Sequence, residues 1–320
     1  MEPERNTIEY INNLAKNDPK ALVEVSETRY QNVVNSVAQK IVSKEGREII
    51  MLAGPSASGK TTTAHKIAKA VQEKGNNCYV LSLDDFYLNR SDVPGAKEGK
   101  PDYETVYALD LPLIHETITA LLQGKEVKMP CFDFTIGKRV YRGNTLQLDA
   151  QDSILVEGLH ALNPIITDGL PQNNLLKIYI SVSSRIYNAE KKIILNKRNL
   201  RFMRRLVRDY LFRASSVENT LQLWESVRKG EDLYLFPYAD RADLRINSIH
   251  YEEPCLFAPL VHSLISHATI PAEYQKEANR LLSSLRQFEP IDEDLLPDDS
   301  LLREFVGEDG LKKANLQSKY

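Results

Sequence analysis

Cysteine is scarce in this sequence: Cys78, Cys131 and Cys255 are the only three in 320 residues. They lie far apart, match no metal-ligand spacing and leave an odd thiol if two pair, which argues against a metal–thiolate or disulfide framework. A reducing cytoplasm is the expected setting. Long apolar runs are also missing. The chain opens Met1-Glu2-Pro3-Glu4-Arg5 with no stretch of the kind a signal peptide or membrane helix needs, so the expectation is that nothing exports or anchors it. Neither sign of charge dominates: 41 Lys and Arg against 44 Asp and Glu leave a net charge of −3. That balance gives no global attraction to nucleic acid or anionic lipid, and any anion must be held by a local basic cluster. Internal repeats and low-complexity tracts are absent.

With 42% hydrophobic and 27% charged residues, the chain has the composition of an ordinary globular protein. Residues 6–43 are polar with apolar positions such as Val33, Val37 and Ile41 at helical spacing, broken near Asp18-Pro19, which predicts two leading helices with a packing role. Residues 48–53 form a short apolar run before a glycine-rich stretch, and residues 61–74 continue as a helix ending at Gly75. Further buried strands are expected at 78–83, 153–156 and 176–180, with a fifth at 243–247. Strands alternating with helices imply a mostly parallel sheet covered on both faces, an α/β three-layer sandwich. Residues 127–148 interleave Phe132, Phe134, Val140, Tyr141, Leu146 and Leu148 with Gly137 and the turn Gly143-Asn144, the pattern of a projecting β-hairpin. A long basic helix is expected over 184–213, another over 217–229, and a third from 271 to about 287, followed by an acidic tail of doubtful order. The expected division is a helical segment at 1–45, a catalytic domain at 46–270, and a helix with tail at 271–320.

Gly54-Pro55-Ser56-Ala57-Ser58-Gly59-Lys60-Thr61 fits G-x-x-x-x-G-K-[ST] and lies between a predicted strand and a predicted helix, the context a P-loop requires. Its glycines let backbone N–H groups turn inward around a phosphate, and the helix beginning near Gly59 directs its positive end at the same charge. Lys60 is expected to bridge the β- and γ-phosphates, and Thr61 to offer its hydroxyl to Mg²⁺. A nucleoside triphosphate with Mg²⁺ is therefore expected, with Gly54, Ser56, Ala57, Ser58, Gly59, Lys60, Thr61 and Thr62 as the nucleotide-binding set. Such a loop serves kinases, GTPases and motors alike.

Ligands of open parallel sheets bind beyond the carboxyl ends of the strands. Two apolar runs end there in acids: Asp84-Asp85 after Leu83, and Glu157 after Val156. Alternation lets one of the aspartates face the phosphates. Asp84 is the expected one, with Asp85 structural. A kinase needs a carboxylate beside the acceptor hydroxyl and acidic groups around the metal, and Asp84 and Glu157 suit both needs.

Together with Ser82-Leu83-Asp84-Asp85-Phe86-Tyr87, Pro130-Cys131-Phe132-Asp133-Phe134 and Val156-Glu157-Gly158, the P-loop makes the region 48–247 resemble the uridine kinase family of phosphoribulokinase/uridine kinase-like P-loop kinases. The run Leu301-Leu302-Arg303-Glu304-Phe305-Val306-Gly307 is similar to the end of bacterial uridine-kinase-like domains that follow modules related to threonyl-tRNA synthetase. The resemblance implies transfer of the ATP γ-phosphate to the 5′-hydroxyl of uridine or cytidine. It implies Asp84 as base, and Thr61, Asp84 and Glu157 around Mg²⁺. It also implies Tyr87, Phe132 and Phe134 as walls of the acceptor pocket and Glu104 at the ribose-binding carboxylate position. Two departures bear on the substrate. Gly137 stands where the family has a base-reading histidine, and Thr105-Val106-Tyr107 replaces the family's His-Pro-Asp run. His160 is a candidate to compensate.

Arg201, Arg204, Arg205 and Arg208 recur at three- and four-residue spacing, with Arg213 beyond. Three readings stand: a lid supplying charge to the transferring phosphoryl group, a solvated helix face, and a nucleic-acid patch. The resemblance places Arg205, Arg208 and Arg213 at lid positions, with Ser215 where a further arginine is usual. The whole reads as a small-molecule kinase, with nucleic acid and membrane not expected as partners and a homo-oligomer open. A kinase for another alcohol, such as a sugar or a pantothenate-like metabolite, and an idle ATP-binding regulatory module are the alternatives.

Overall fold

The leading helices are set by their caps. In the computed structural model, which describes residues 5–99, 101–308 and 310–311, the Thr7 hydroxyl accepts from Tyr10 N to open α1 (Ile8–Asn17). Asp18 ends α1, accepts from Ala21 N and hands the chain to Pro19, the first residue of α2 (Pro19–Val42). Helix α2 buries Leu22, Tyr30, Val34, Val37 and Ile41, a 3.6-residue stripe that packs on the helix after the P-loop.

Five strands form the central sheet. Strand β1 (Glu48–Ala53) is buried throughout and runs into the glycine-rich loop, from which α3 (Lys60–Gln72) departs. Next come β2 (Cys78–Ser82) and α4 (Leu111–Leu122). Two small antiparallel pairs follow: β3 (Val127–Lys128) and β4 (Cys131–Asp133) go out, and β5 (Lys138–Val140) and β6 (Thr145–Leu146) come back, β4 on β5 and β3 on β6. This is the projecting hairpin read from the sequence. Strand β7 (Ser153–Glu157), the short α5 (Pro164–Thr167) and β8 (Leu175–Ser181) return to the sheet.

The basic stretch departs from expectation. Residues 184–195 are not helical: β9 (Ile186–Tyr187) and β10 (Ile193–Leu195) pair antiparallel around a turn in which Lys191 is left-handed (φ 60°). The β-branched Ile186, Ile193 and Ile194 suit strands, and Asn196 opens a capping box with Asn199. Helix α6 (Lys197–Arg213) therefore begins late. Helix α7 (Val217–Tyr234), strand β11 (Leu244–Asn247), α8 (Glu253–His267), α9 (Ala272–Leu285) and a last turn, α10 (Arg303–Val306), complete the order.

The sheet order is β11-β8-β1-β7-β2, parallel at every pairing, with β1 in the middle. Alternate residues feed two cores: Ile50, Leu52 and Ile178 face the layer holding α2, α3 and α6, and Ile49, Met51 and Val156 face the layer holding α4. The tail also differs from expectation. Leu301, Leu302, Phe305 and Val306 are fully buried in the first core, because apolar residues spaced among the acids dock α10 on α6. The expectation for residues 312–320 falls outside the described residues.

Candidate active site

Strands β1, β2 and β7 lie side by side and end at one rim, so the P-loop, Asp84 and Glu157 meet there. Ala57 (φ 58°) and Gly59 (φ 83°) both take left-handed backbone, which curls successive N–H groups toward one side, an anion-accepting nest at a helix start. A side chain on Gly59 would also strike Leu301, 2.6 Å from the position of its first carbon, so the docked tail and the loop share this contact. Lys60 Nζ has one nearby acceptor, Pro55 O at 3.3 Å, and the buried Ser58 hydroxyl has none.

The Thr61 hydroxyl donates to Glu157 Oε1 at 3.2 Å, and the Ser82 hydroxyl donates to the same atom at 3.0 Å. Glu157 is buried, whereas Asp84 is open to the water of a cavity of about 290 Å³ that Lys60, Thr61 and Glu157 also line. Protein walls and the charge of Glu157 nonetheless push the Asp84 carboxyl up to about 6, against the pull of Lys60. Asp85 turns away and accepts from Phe132 N at 3.2 Å, tethering the hairpin. Glu104 lines the same cavity against Gly230 of α7, and burial with the nearby Glu231 pushes it up to about 7.

The arginines of α6 divide into two groups. Arg201 pairs with buried Glu231 and donates to Ser56 O at 2.9 Å, while Glu231 accepts from Ser56 N at 2.8 Å. Arg204 is fully buried, pairs with Glu253 and donates to Ser248 O at 2.6 Å. These two are braces of the P-loop and the interior. Arg205, Arg208 and Arg213 line the phosphate cavity and share a single buried carboxylate, Asp209, at 3.2, 2.9 and 3.5 Å. These guanidiniums and Lys60 stand along the cavity together with the carboxyls Asp84, Glu104, Glu157 and Glu304, which line it too. Ser215 hydrogen bonds to Asn219 and Thr220 of α7, outside that cavity. Because Leu200, Met203, Leu206 and Val207 are fully buried, α6 already stands closed against the P-loop as an anchored wall.

A second cavity, about 420 Å³, is lined by Tyr87, Arg90, Pro101, Tyr103, Phe132 and Phe134. Its rings pack together, Phe132 edge to face on Phe134 at 5.0 Å and Tyr87 tilted on Phe132 at 5.6 Å. Phe134 is 61% exposed, a large apolar face held open to solvent. Arg90 and Tyr103 carried no sequence signal, since they lie in a loop without periodicity. Gly137 sits at the hairpin turn in left-handed backbone (φ 65°) with its missing side chain's place taken by Arg90.

Three expected residues are placed elsewhere. His160 is buried behind Glu104, bonded to its backbone and packed at 5.9 Å on Tyr234; burial holds it down near 4, so it is neutral and lines neither cavity. The Thr62 hydroxyl donates to Glu304 Oε2 of the tail at 2.6 Å. Gly54 has no room for a side chain, because Ile180 O of β8 stands 2.3 Å from where its first carbon would be. Glu304 itself reaches the cavity wall. Among the described residues no helix is long and apolar enough to cross a membrane.

The chain matches the Phosphoribulokinase / Uridine kinase family over residues 49–253. Uridine kinase of Deinococcus deserti is 30% identical over 209 residues, covering 65% of this chain and 91% of that one. Uridine kinase of Lactobacillus helveticus is 29% identical over 197 residues, 61% of this chain and 84% of the other. Among solved structures, a proposed fructose transport system kinase from Silicibacter sp. TM1040 superposes with a TM-score of 0.50 at 18% identity, over 66% of this chain and 98% of that one, a likeness of fold.

Proposed function

Because the chain belongs to the phosphoribulokinase / uridine kinase family, and so is a phosphotransferase acting on a hydroxyl group, we propose that it phosphorylates a nucleoside, with uridine or cytidine first in line, at the 5′-hydroxyl from ATP. One observation carries this reading. Asp84 lines the phosphate cavity and lies close enough to Tyr87, which lines the aromatic cavity, that its charge adds to burial in raising the Tyr87 phenol. The flat, ring-lined cavity suits a base or sugar face, and Glu104 suits a ribose diol.

The residues present fit a Mg-nucleotide. Among the described residues the buried Ser58 hydroxyl has no hydrogen-bond partner, Lys60 Nζ forms no direct ion pair, and three arginines share Asp209. Thr61, Asp84 and Glu157 form an oxygen donor set of the kind Mg²⁺ takes. When bound, the ion supplies neutralisation of phosphate charge. Asp84 accepts the proton of the acceptor hydroxyl as its oxygen bonds to the γ-phosphorus and the bond to the β–γ bridging oxygen breaks. Lys60, Arg205, Arg208 and Arg213 face the charge that develops on the equatorial and leaving oxygens. Residues 46–270 carry this chemistry in our reading, with 1–45 and 271–320 supporting it. The run Leu301 to Gly307 is read as that of the uridine-kinase-like domains associated with threonyl-tRNA-synthetase-related modules.

The test is an acceptor screen with ADP release as readout, using uridine, cytidine, purine nucleosides, sugars and pantothenate-like alcohols. Turnover with a pyrimidine nucleoside at least tenfold above every other acceptor is expected. Preference for a sugar or a simple alcohol moves the enzyme to another acceptor class, and ATP binding with no turnover on any acceptor leaves the idle-module reading standing instead.

A further inference from the structure

Behind the P-loop helix, on the side away from both cavities, Glu27 of α2 meets His250 and Glu252 from the turn between β11 and α8. One ligand-type atom from each lies within 4.8 Å of the others. His250 and Glu252 are fully buried. The His250 ring faces its Nδ1 to Ser248 O at 3.2 Å, which fixes the proton on Nδ1 and leaves the lone pair of Nε2 toward the two glutamates. Nε2 stands 3.6 Å from Glu27 Oε1, beyond hydrogen-bond reach. Nε2, Glu27 Oε1 and both oxygens of Glu252 are buried without a hydrogen-bond partner.

The nearby cationic donors are committed elsewhere. Arg29 donates to Asn247 O and Ile249 O, Arg204 pairs with Glu253, and Lys66 pairs with Asp299 at 2.9 Å. The Ser26 hydroxyl, beside Glu252, is bonded to Leu22 O and Tyr251 N. Acceptor atoms from all three side chains thus lie close together with no geometrically sound hydrogen bond, an arrangement that is costly unless a cation or proton lies among them.

We propose that Glu27, His250 and Glu252 bind one divalent transition-metal ion of the zinc type as a structural site. Two carboxylates cancel its charge, and the imidazole nitrogen selects zinc-like ions over Mg²⁺ and Ca²⁺. With bonds of about 2.0–2.1 Å, neighbouring ligand atoms of a tetrahedral ion stand roughly 3.4 Å apart; His250 Nε2 and Glu27 Oε1 are 3.6 Å apart and all three ligand atoms lie within 4.8 Å of one another. The ion ties α2 to the turn before α8. One turn along α2, Tyr30 packs on His250 at 5.3 Å, and its hydroxyl meets the Thr63 hydroxyl at 2.6 Å; Thr63 in turn donates to Gly59 O at 2.6 Å. The site therefore braces the P-loop from behind.

The test uses the full chain after chelator treatment, titrated with Co²⁺ and with Zn²⁺ in excess Mg²⁺ so that the catalytic acids are occupied. One equivalent bound, visible Co²⁺ bands without a thiolate charge-transfer band, and a melting temperature that climbs with zinc are expected. Glu252→Gln and the partly exposed Glu27→Gln should each weaken Co²⁺ binding by about tenfold or more, with unchanged circular dichroism. Should Glu252→Gln fail to fold, Glu27→Gln decides. No stoichiometric uptake by the unaltered chain, a thiolate band, or an affinity that Glu27→Gln does not change overturns the proposal and leaves a proton shared by Glu252 and His250 as the occupant.

Discussion

Asp84 has to be a carboxylate to take a proton, yet its surroundings hold the proton on until about pH 6. Acidification below neutrality should therefore cut kcat/KM, with Glu104, raised to about 7, adding to the fall. Stability should move the other way. Both carboxyls titrate in the folded chain above the ordinary value of about 4, so the folded state holds more protons across that window and loses stability as pH rises from about 4 through about 7. Urea melts of the ligand-free chain at pH 5 and pH 8, beside a pH–rate profile, should show the two opposite slopes. Asp84→Asn should lower turnover by about 10²–10⁴ while ATP still binds, and should flatten part of both slopes. Loss of ATP binding in step with turnover would instead make Asp84 a nucleotide ligand and not a base. The Gly137 position gives a second outcome: Gly137→His should fail to create a base-reading group, because its backbone is left-handed and Arg90 fills the side chain's place, with destabilisation of about 1 kcal/mol or more. Improved pyrimidine affinity in that variant would show the turn to be pliable.

At the scale of elements, α6 joins two jobs that a sequence pattern cannot separate. Arginine spacing showed one charged stripe, but which members meet a carboxylate depends on Glu231 of α7 and Glu253 of α8, distant in sequence and invisible to helical periodicity. The strands, the P-loop and Asp84 were legible because alternation, glycine pattern and strand-end position are local properties. The hairpin at 186–195 and the buried His160 were not, since each is decided by a partner brought in by the fold. The division of α6 predicts a contrast. Arg204→Met strands Glu253 in the interior and should cost about 3–5 kcal/mol in denaturant melts with little effect on the chemistry of molecules that remain folded. Arg208→Ala and Arg213→Ala should leave stability nearly unchanged and reduce kcat by about tenfold or more. Equal melting losses in all three would return the helix to a uniform structural role.

The whole molecule is wound so that its two ends lock the loop between them. Helix α2 reaches the P-loop through Tyr30 and Thr63, and the tail reaches it through Leu301 over Gly59 and Glu304 on Thr62. Acidic composition alone marked the tail as doubtful, yet four fully buried apolar side chains at 301, 302, 305 and 306 fix it to the core. Burying each such side chain contributes about 1.5–3 kcal/mol, more than a segment of this length can lose without the rest of the fold feeling it. Glu304 adds a negative charge to a wall otherwise rich in arginine, and its bond to Thr62 occupies a hydroxyl directly after the P-loop's last residue. Removing that charge should favour the nucleotide: Glu304→Gln keeps the shape and a hydrogen bond but deletes the repulsion, so the Kd for ATP should fall severalfold with melting behaviour little changed. Ending the chain before residue 297 should do the reverse, lowering the melting temperature and weakening ATP binding together, because Gly59 and Thr62 lose their backing. Calorimetry with a non-hydrolysable ATP analogue on both variants separates the cases, and tighter binding by the shortened chain would show that the tail obstructs the phosphate site instead of supporting it.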